Sequence, residues 1–308
     1  MPTRPEEIFP LRPPLTLPDG VEEKQLHDWL KNVQVAGCSA EIKDYFAQDF
    51  RRFIYTYGLV KSASSDIPAS KKKCLELGAN PYFVTILLKK FTPCELTLAN
   101  YFGSHLSVGL HSQKVGLSEF NLENQSESKS FSIALDYHHF NVEEDSFPFD
   151  DASFDIVLFC EIIEHLLMDP LKVLFEIKRV LKPDGQLILT TPNVNRLENV
   201  ARMLSGTNIY DPYSAYGPYG RHNREYNKHE LYLLLTHAGF FIREMFSADV
   251  HENITSNFFD LSKFQDLLNF RRADLGQYIF LRASINKVGK DKKPTWLYRS
   301  YSADKMDE

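Results

Sequence analysis

Near the start of this chain the apolar residues recur at helical spacing. Farther along, short extended apolar stretches alternate with stretches in which the apolar residues have helical spacing. Two amphipathic stripes at helical spacing occupy residues 26–33 and 42–54. From Lys71 onward, short apolar runs are separated by helical patterns. Alternation of this kind predicts an α/β fold built on a parallel sheet with helices on both faces.

Seven of these apolar runs predict the strands of the sheet. The fourth run, "SFDIVLFCE", is almost wholly apolar, which is typical of a central strand covered on both faces. The seven runs are 71–77, 94–102, 130–142, 153–161, 186–192, 240–247 and 276–284.

Local residue chemistry predicts where several helices begin and end. Asp169 as N-cap with Pro170 at the first position opens a helix. Asn227 caps a second helix, which Gly239 ends. Pro81 suits the first turn of a helix that follows the first strand.

The segments between these elements divide the chain. We expect an irregular segment and a helical lid over residues 1–66, a sheet domain over 67–285 and a charged tail over 286–308. Within them, the polar stretch 61–70 predicts a linker, and the serine-rich stretch 103–130 predicts a loop or a frayed hairpin.

Composition narrows the class of protein. The net charge of −6 argues against a nucleic-acid partner. The four cysteines are scattered and form no CxxC, which favours a reducing compartment, the cytoplasm, without a disulfide scaffold. The sequence has no apolar run long enough to span a membrane and no apolar core typical of a signal peptide at its start.

Acidic residues and a histidine follow the fourth strand directly. Ligands of such sheets bind beyond the carboxyl ends of the strands, where Glu161 stands. Glu164 and His165 follow at a spacing that brings all three to one side of a helical start. The first strand ends in "ELGANP", whose Gly78 lets a ligand approach the backbone but which lacks the further glycines of a dinucleotide site.

Three motifs in succession carry a family resemblance. They are "CLELGANP", "FNVEEDSFPFDDASFDIVLFCEIIEHL" and "LFEIKRVLKPDGQLILTTPN". Over about residues 71–285 the chain resembles class I S-adenosylmethionine-dependent methyltransferases, in particular the methyltransferase type 11 group and the ubiquinone-biosynthesis-type O-methyltransferases. The resemblance implies a Rossmann-like seven-stranded sheet whose last strand is antiparallel, with S-adenosylmethionine as cofactor.

The resemblance also implies a set of cofactor-binding residues with two departures. Asn100 stands where the family normally has a carboxylate on the ribose hydroxyls, and Asn141 stands where an aspartate often lies near the adenine amine. An amide bonds a hydroxyl without the assistance of charge. The implied residues are Glu76, Gly78, Ala79, Asn80, Asn100, Asn141, Val142, Glu161 and Ile162.

The ExxEH pattern leaves three alternatives for the chemistry. His165 is a candidate general base, assisted by Glu164 and His222 as further catalytic candidates. The pattern is also similar to metal-dependent small-RNA 2′-O-methyltransferases, which implies Mg²⁺ or Mn²⁺ on Glu161, Glu164, His165 and His222. A purely structural role of His165 in orienting its loop is the third alternative, and the negative charge disfavours RNA as substrate.

An insertion at residues 193–226 predicts the acceptor side. Its tyrosines offer stiff rings with polar tips, which suit a hydroxylated small molecule or a glycan, although each tyrosine alone is as typical of plain packing. The predicted function is therefore O-methylation of such an acceptor, and the alternative is an inactive nucleoside-binding or regulatory member of the same fold. The predicted substrate residues are Tyr210, Tyr216, Tyr219, Arg221, Arg224 and Tyr226.

Overall fold

The computed structural model describes most of the chain. Phe9 and residues 12–37, 41–68, 71–120, 129–286 and 289–307 are described, without the side chain of Glu41. Among these residues, no helix combines the length and the apolar character that crossing a bilayer requires.

A nine-stranded sheet forms the centre of the molecule in the described residues. Its strand order is β1-β4-β5-β3-β2-β6-β7-β9-β8, and a separate two-stranded sheet pairs β10 with β11. The strands are β1 (Gln34–Val35), β2 (Lys72–Leu77), β3 (Cys94–Asn100), β4 (Gly109–Ser118), β5 (Ser130–His139), β6 (Phe154–Cys160), β7 (Leu181–Pro192), β8 (Phe240–Ala248), β9 (Tyr278–Ile285), β10 (Lys293–Pro294) and β11 (Met306–Asp307).

The predicted Rossmann-like sheet is confirmed by the strand directions. Strand β2 is parallel to β3 and β6, β3 is parallel to β5, and β6 is parallel to β7. Strand β9 is antiparallel to both of its neighbours, β7 and β8. Seven strands therefore have the predicted arrangement with the last one antiparallel.

Two strands extend the sheet beyond the seven predicted ones. Strand β4 pairs antiparallel with β5 from Gly109↔His139 to Ser118↔Ser130, and β1 pairs with β4. The hairpin alternative for residues 103–130 is the correct one for this strand, and residues 121–128 lie outside the described residues. The strand was hard to predict because only two of its ten residues are buried.

Seven helices complete the described fold. Two of the predicted caps are confirmed, since Asp169 accepts the backbone N–H of Lys172 and Asn227 accepts that of Glu230. The helices are α1 (Glu23–Leu30), α2 (Glu41–Asp66), α3 (Phe83–Phe91), α4 (Pro170–Val180), α5 (Leu197–Leu204), α6 (Lys228–His237) and α7 (Gln265–Asn269).

Two local predictions were wrong. Residues 61–66 continue helix α2 instead of forming a linker, because the buried Ala63 keeps that turn packed although most of its neighbours are polar. Pro81 precedes helix α3 instead of lying in its first turn, and Tyr82 is the N-cap.

Helices cover both faces of the sheet, as predicted. Neighbouring residues of β6 pack into two different hydrophobic clusters, Ile156 and Leu158 into one and Val157 and Phe159 into the other. The first cluster includes the apolar residues of α1, α2 and α3, and the second includes those of α4 and α6. This division follows from the period of two along a strand.

Helix α2 packs against the strands β7 and β9 and against helix α3. The Tyr55 ring packs on Phe280 of β9 at a centroid distance of 4.9 Å, and Asp66 forms an ion pair with Arg282 farther along the same strand. Because Tyr278 begins β9 at the carboxyl edge of the parallel strands, the earlier turns of α2 lie near that edge.

The segment 289–307 packs against the start of α4. The Tyr298 hydroxyl donates to Asp169 Oδ1 at 2.6 Å and accepts the N–H of Leu171 at 3.2 Å. Lys293 forms an ion pair with the other oxygen of Asp169. One carboxylate therefore caps the helix and binds the tail.

We expect Asp169→Ala to lower the free energy of unfolding by about 2–3 kcal/mol, because it removes a cap and a charged hydrogen-bond acceptor together. Urea unfolding followed by circular dichroism measures this loss. Asp184→Ala, which removes an exposed carboxylate near the start of β7, is the matched control and should change stability little. Equal midpoints for the two variants would contradict the role of Asp169.

Candidate active site

A cleft of about 320 Å³ lies at the carboxyl ends of β2, β3, β5 and β6. Its position agrees with the general location of ligands in such sheets. Of the nine residues predicted to bind a cofactor, the structure brings seven to its lining: Gly78, Asn80, Asn100, Asn141, Val142, Glu161 and Ile162.

The turn after β2 forms one wall of the cleft. The N–H groups of Gly78 and Ala79 both donate to the carbonyl of Ala99 on β3, at 2.8 and 3.2 Å. Gly78 has φ +67°, and a Cβ at this position would lie 2.9 Å from Cδ1 of Ile162. Glycine is therefore required here both by the backbone conformation and by the contact with Ile162.

Glu76 lies behind this wall and does not line the cleft. It is 5% exposed, and its Oε2 accepts the hydroxyl of Thr85 at 2.6 Å. Burial raises the pKa of Glu76 to about 8, although the hydrogen bond from Thr85 favours the charged form. The side chain thus ties the strand to helix α3.

Tyr82 lies behind Asn100, outside the lining of the cleft, where the chain departs from a glycine-rich turn. It is fully buried with φ 69°, and its hydroxyl lies 2.8 Å from Gln113 Oε1 and 3.1 Å from Asn100 Nδ2. Asn100 Oδ1 accepts the N–H of Asn80 at 2.9 Å. Both ends of the Asn100 amide are therefore engaged by the protein itself.

Sequence reasoning missed both Tyr82 and Gln113. The sequence offers no local signal for Tyr82, because its partners Asn100 and Gln113 lie on other strands. Gln113 could not be found, since its strand β4 was not predicted.

Asn141 joins the cleft to the insertion. Its Nδ2 donates to the Tyr219 hydroxyl at 3.1 Å, and its Oδ1 accepts the N–H of Glu143 at 2.9 Å. The Tyr219 ring packs edge-on against Tyr101 with centroids 5.8 Å apart. One predicted substrate residue, Tyr219, thus lines the cleft beside the predicted cofactor residues.

Glu143 holds the loop that follows the ExxEH segment, and sequence reasoning did not single it out. Its carboxylate accepts the backbone N–H groups of Leu167, Met168 and Asp169 at 2.8, 2.9 and 3.1 Å. The side chain is 3% exposed. A buried carboxylate with three such donors fixes the loop firmly.

Glu161 occupies the end of β6 in a left-handed conformation with φ 54°. Its N–H donates to the Thr190 carbonyl at 2.9 Å, and the Thr190 hydroxyl donates to its Oε1 at 2.7 Å. Burial raises the pKa of Glu161, while Arg52 of helix α2, with Nη1 3.8 Å from Oε1, opposes this rise.

Glu164 is fully buried beneath the insertion. Its Oε2 accepts the Thr191 hydroxyl at 2.8 Å, and its carbonyl accepts the N–H groups of Asn223 and Arg224 at 2.7 and 3.1 Å. Oε1 has no hydrogen-bond partner in the described part of the chain. Burial raises the pKa of Glu164, and the nearby His222 opposes this rise.

His165 presents one ring nitrogen as an acceptor. Its Nδ1 lies 2.9 Å from the Arg221 carbonyl, which can only accept, so Nδ1 carries the hydrogen and Nε2 carries the lone pair of the neutral ring. Burial and the neighbouring His222 lower the pKa of His165, which favours this neutral form.

His222 packs edge-on against His165 with ring centroids 5.0 Å apart. Burial disfavours its charged form, but the hydrogen bond with Glu225 Oε1 at 2.9 Å and the carboxylates of Glu164 and Asp211 outweigh burial and raise the pKa of His222 to about 9. The two histidines therefore differ in charge, and only His165 is a base at neutral pH.

The predicted four-residue metal set is only partly assembled. Glu164, His165 and His222 each offer a ligand atom within 4.8 Å of the others, and a second group joins Asp211, His222 and Glu225. Glu161 belongs to neither group, because its carboxylate faces Thr190 and Arg52. An unpaired buried oxygen of Glu164 beside the Nε2 lone pair fits a cation ligand, whereas a protonated His222 does not.

The other predicted substrate residues do not gather at the cleft, and they differ in their exposure. Tyr210 and Tyr216 are 81% and 74% exposed, whereas Tyr226 is 2% exposed and packs in the core with α6. Tyr226 is buried because its backbone pairs with Asn193 at the end of β7. Two arginines lie over tyrosine rings, Arg221 over Tyr213 at 4.6 Å and Arg224 over Tyr226 at 5.6 Å.

The chain is similar to known proteins over part of its length. Residues 96–189 match the family described as methyltransferase domain. A probable S-adenosylmethionine-dependent methyltransferase of Mycolicibacterium smegmatis is 34% identical over 110 residues, so the match spans 36% of this chain and only 37% of that relative. The predicted family resemblance is confirmed over this central part.

Solved structures with a similar chain path have low sequence identity. A putative methyltransferase of Haloferax volcanii, solved in complex with the Trm112 methyltransferase activator, is 17% identical with a TM-score of 0.45, covering 79% of this chain and 97% of that one. A SAM-dependent methyltransferase of Archaeoglobus fulgidus is 14% identical with a TM-score of 0.44, covering 78% and 98%.

We expect Tyr82→Phe to lower the free energy of unfolding by about 1–2 kcal/mol, because Asn100 and Gln113 lose a buried partner. Tyr137→Phe is the matched control, since Tyr137 is also a buried residue but its hydroxyl makes no hydrogen bond to any described residue. Urea unfolding of both variants measures the difference, and equal loss would show that the hydroxyl network contributes nothing.

Proposed function

We propose that this chain, which carries a methyltransferase domain at residues 96–189, is an S-adenosylmethionine-dependent methyltransferase. The observation that carries the proposal is the convergence of seven residues expected from the resemblance on one cleft at the carboxyl edge of the sheet. The volume of about 320 Å³ falls in the range of small-molecule sites.

The cleft offers distinct surroundings for the parts of the cofactor. Phe140, Val142 and Leu166 provide apolar walls for the adenine, and Asn100 and Asn80 provide amides for the ribose. Glu161 provides a carboxylate for the sulfonium. S-adenosylmethionine, when bound, supplies an electrophilic methyl group, and the protein aligns it with the acceptor.

His165 is the general base in this proposal. Its Nε2 has a lone pair, its Nδ1 is anchored to the Arg221 carbonyl, and the ring lines the cleft. A base so placed takes the proton from an acceptor hydroxyl as the hydroxyl oxygen attacks. Glu164, whose Oε1 lies 3.8 Å from His165 Nε2, stabilises the charge that this base gains, and His222 packs edge-on against its ring and holds it in place.

We propose a hydroxylated small molecule or a glycan as acceptor, methylated on oxygen. The support is the polar and aromatic insertion beside His165, with Tyr219 inside the cleft and Tyr210, Tyr213 and Tyr216 exposed at its outer side. A cytoplasmic location is also proposed, supported by the described cysteines Cys74, Cys94 and Cys160, which are free thiols.

A divalent ion remains part of the proposal as an alternative way to activate the acceptor. Glu164 and His165 would hold it together with His222 after His222 loses its proton, and the unpaired Glu164 Oε1 supports this. Mg²⁺ or Mn²⁺ would acidify a bound hydroxyl.

A second candidate function is a nucleoside-binding member without turnover. It is favoured by the Asn100 amide, which the protein already engages at both ends. A ligand ribose must compete with these bonds, and this lowers affinity.

We expect the protein to bind S-adenosylmethionine and S-adenosylhomocysteine, and Gly78→Val to abolish binding because its side chain collides with Ile162 at the cleft wall. Gly206→Val is the matched control, since Gly206 also has positive φ, at 77°, but nothing lies within 4 Å of its Cβ position. Isothermal titration calorimetry measures both. Absence of binding to the wild-type protein would remove the methyltransferase proposal.

We expect His165→Ala to reduce S-adenosylhomocysteine release on a panel of phenols and saccharides by about 10²–10⁴-fold, the usual contribution of general base catalysis, with cofactor affinity nearly unchanged. Treatment with EDTA and re-addition of Mn²⁺ separates the alternatives. Recovery only with Mn²⁺, with an electron paramagnetic resonance signal of bound Mn²⁺ that His165→Ala and His222→Ala both lose, supports the ion. Full activity in EDTA leaves the base alone.

A further inference from the structure

Arg52 of helix α2 is buried at the edge of the proposed cofactor cleft. Its side chain is 3% exposed, and its guanidinium lies over the rings of Phe53, Tyr45 and Tyr278 at 5.0, 5.3 and 5.6 Å. A cation so enclosed needs compensating charge, because its removal from water is costly.

The guanidinium has a separate partner for each of its nitrogens. Its Nε donates to Asp49 Oδ1 at 3.1 Å, one Nη donates to the Tyr45 hydroxyl, and Nη1 lies 3.8 Å from Glu161 Oε1. Asp49 lies one turn earlier on the same helix and is 5% exposed, so it already neutralises the arginine. The approach to Glu161 therefore exceeds what burial of Arg52 requires.

The arrangement around Glu161 leaves one oxygen for the cleft. The Thr190 hydroxyl donates a hydrogen bond to Oε1, and Arg52 lies near the same oxygen. No described residue donates a hydrogen bond to Oε2. Glu161 lines the cleft, and its side chain is 16% exposed. Oε2 is thus the oxygen that a bound cation can reach.

We propose that Arg52 is a positioning residue that holds the Glu161 carboxylate against Thr190, so that the cleft distinguishes the positive sulfonium of S-adenosylmethionine from the neutral thioether of S-adenosylhomocysteine. The inference rests on the proposed function, since it assigns a role within the same cofactor site. It also makes helix α2, which lies outside the matched residues 96–189, part of that site.

Glu161 needs a neighbouring cation because several acidic residues lie close together at this edge of the sheet. Asp49, Glu161 and Glu164 are all buried or nearly so. Without Arg52, the carboxylate of Glu161 loses its neighbouring cation, and a carboxylate that is poorly compensated either turns away or is neutralised. Either change removes the negative charge that a sulfonium would meet, whereas a thioether is indifferent to it.

The test is the ratio of the dissociation constants of S-adenosylhomocysteine and S-adenosylmethionine, measured by calorimetry at pH 9, because burial raises the pKa of Glu161 to about 8 and its carboxyl group must be charged. We expect Arg52→Met to lower this ratio about fivefold, the effect of one partly screened charge contact. Arg51→Met is the matched control, because Arg51 is the adjacent residue, 55% exposed and paired with Glu23 at 2.7 Å on the opposite side. Arg52→Lys should restore most of the ratio.

A double-mutant cycle separates positioning from mere stability. In the Glu161→Gln background, Arg52→Met should leave the ratio unchanged, since no carboxylate remains to be positioned. If Arg52→Met does not fold, Asp49→Asn/Arg52→Met removes the unpaired buried acid, and the same cycle is run on it.

Equal weakening of both ligands by Arg52→Met, a raised ratio, or the same fall in the Glu161→Gln background would each overturn the inference. Failure of the wild-type protein to bind either ligand would instead remove the proposed function, and the inference with it. The two outcomes can be told apart, because the inference is tested with the variants and the proposed function is tested with the wild-type protein.

Discussion

The burial of two carboxyl groups at the end of β6 is the constraint on which the arrangement of the site depends. Glu161 and Glu164 are separated by a single short turn, and each must find partners away from water. Two successive residues of β7 provide these partners: the Thr190 hydroxyl donates a hydrogen bond to Glu161, and the Thr191 hydroxyl donates one to Glu164. Because successive strand residues point to opposite faces, the two acids are held on opposite sides of the sheet edge.

The remaining partners of these acids come from distant parts of the chain. Helix α2 brings Arg52 to Glu161 across 109 positions of sequence, and the insertion brings the N–H groups of Asn223 and Arg224 to the carbonyl of Glu164. Helix α2 is therefore in contact with the site as well as with the sheet. The acids thus join the N-terminal helix, the sheet and the insertion into one structure.

The sequence predicted those features whose causes are local. The caps Asp169 and Asn227 are such cases, since donor and acceptor lie within one turn. The strands were predictable because continuous apolar runs bury both faces of a parallel strand. Strand β4 was not, because only two of its ten residues are buried, and its role comes from pairing with β5.

The residues of the site differ in the same way, since some have local causes and others depend on distant contacts. Gly78 and Glu161 were predictable because each ends a strand at the edge where ligands bind, and Asn100 was implied by the family resemblance. Arg52, Tyr82 and Gln113 were not, because their roles depend on contacts between separate elements. Tyr226 shows the reverse difficulty, since a tyrosine beside predicted site residues was buried by a backbone bridge to Asn193 that no local pattern indicates.

The cleft has two ends of different electrostatic character, and this difference bears on what it can bind. At the ends of β2, β3 and β5 the polar groups are neutral amides, Asn80, Asn100 and Asn141, already engaged with one another, with Tyr82 or with Tyr219. At the end of β6 the carboxylate of Glu161 has an oxygen to which no described residue donates a hydrogen bond.

A ligand with a neutral polar part and a cationic part fits this asymmetry in one orientation only, because the amides offer no charge and the carboxylate offers no hydrogen-bond donor. An anionic group meets no compensating cation among the described residues lining the cleft while His165 is neutral. The absence of a carboxylate at position 100 therefore leaves the negative charge at the Glu161 end, where a positive ligand group is drawn toward the base rather than toward the ribose corner.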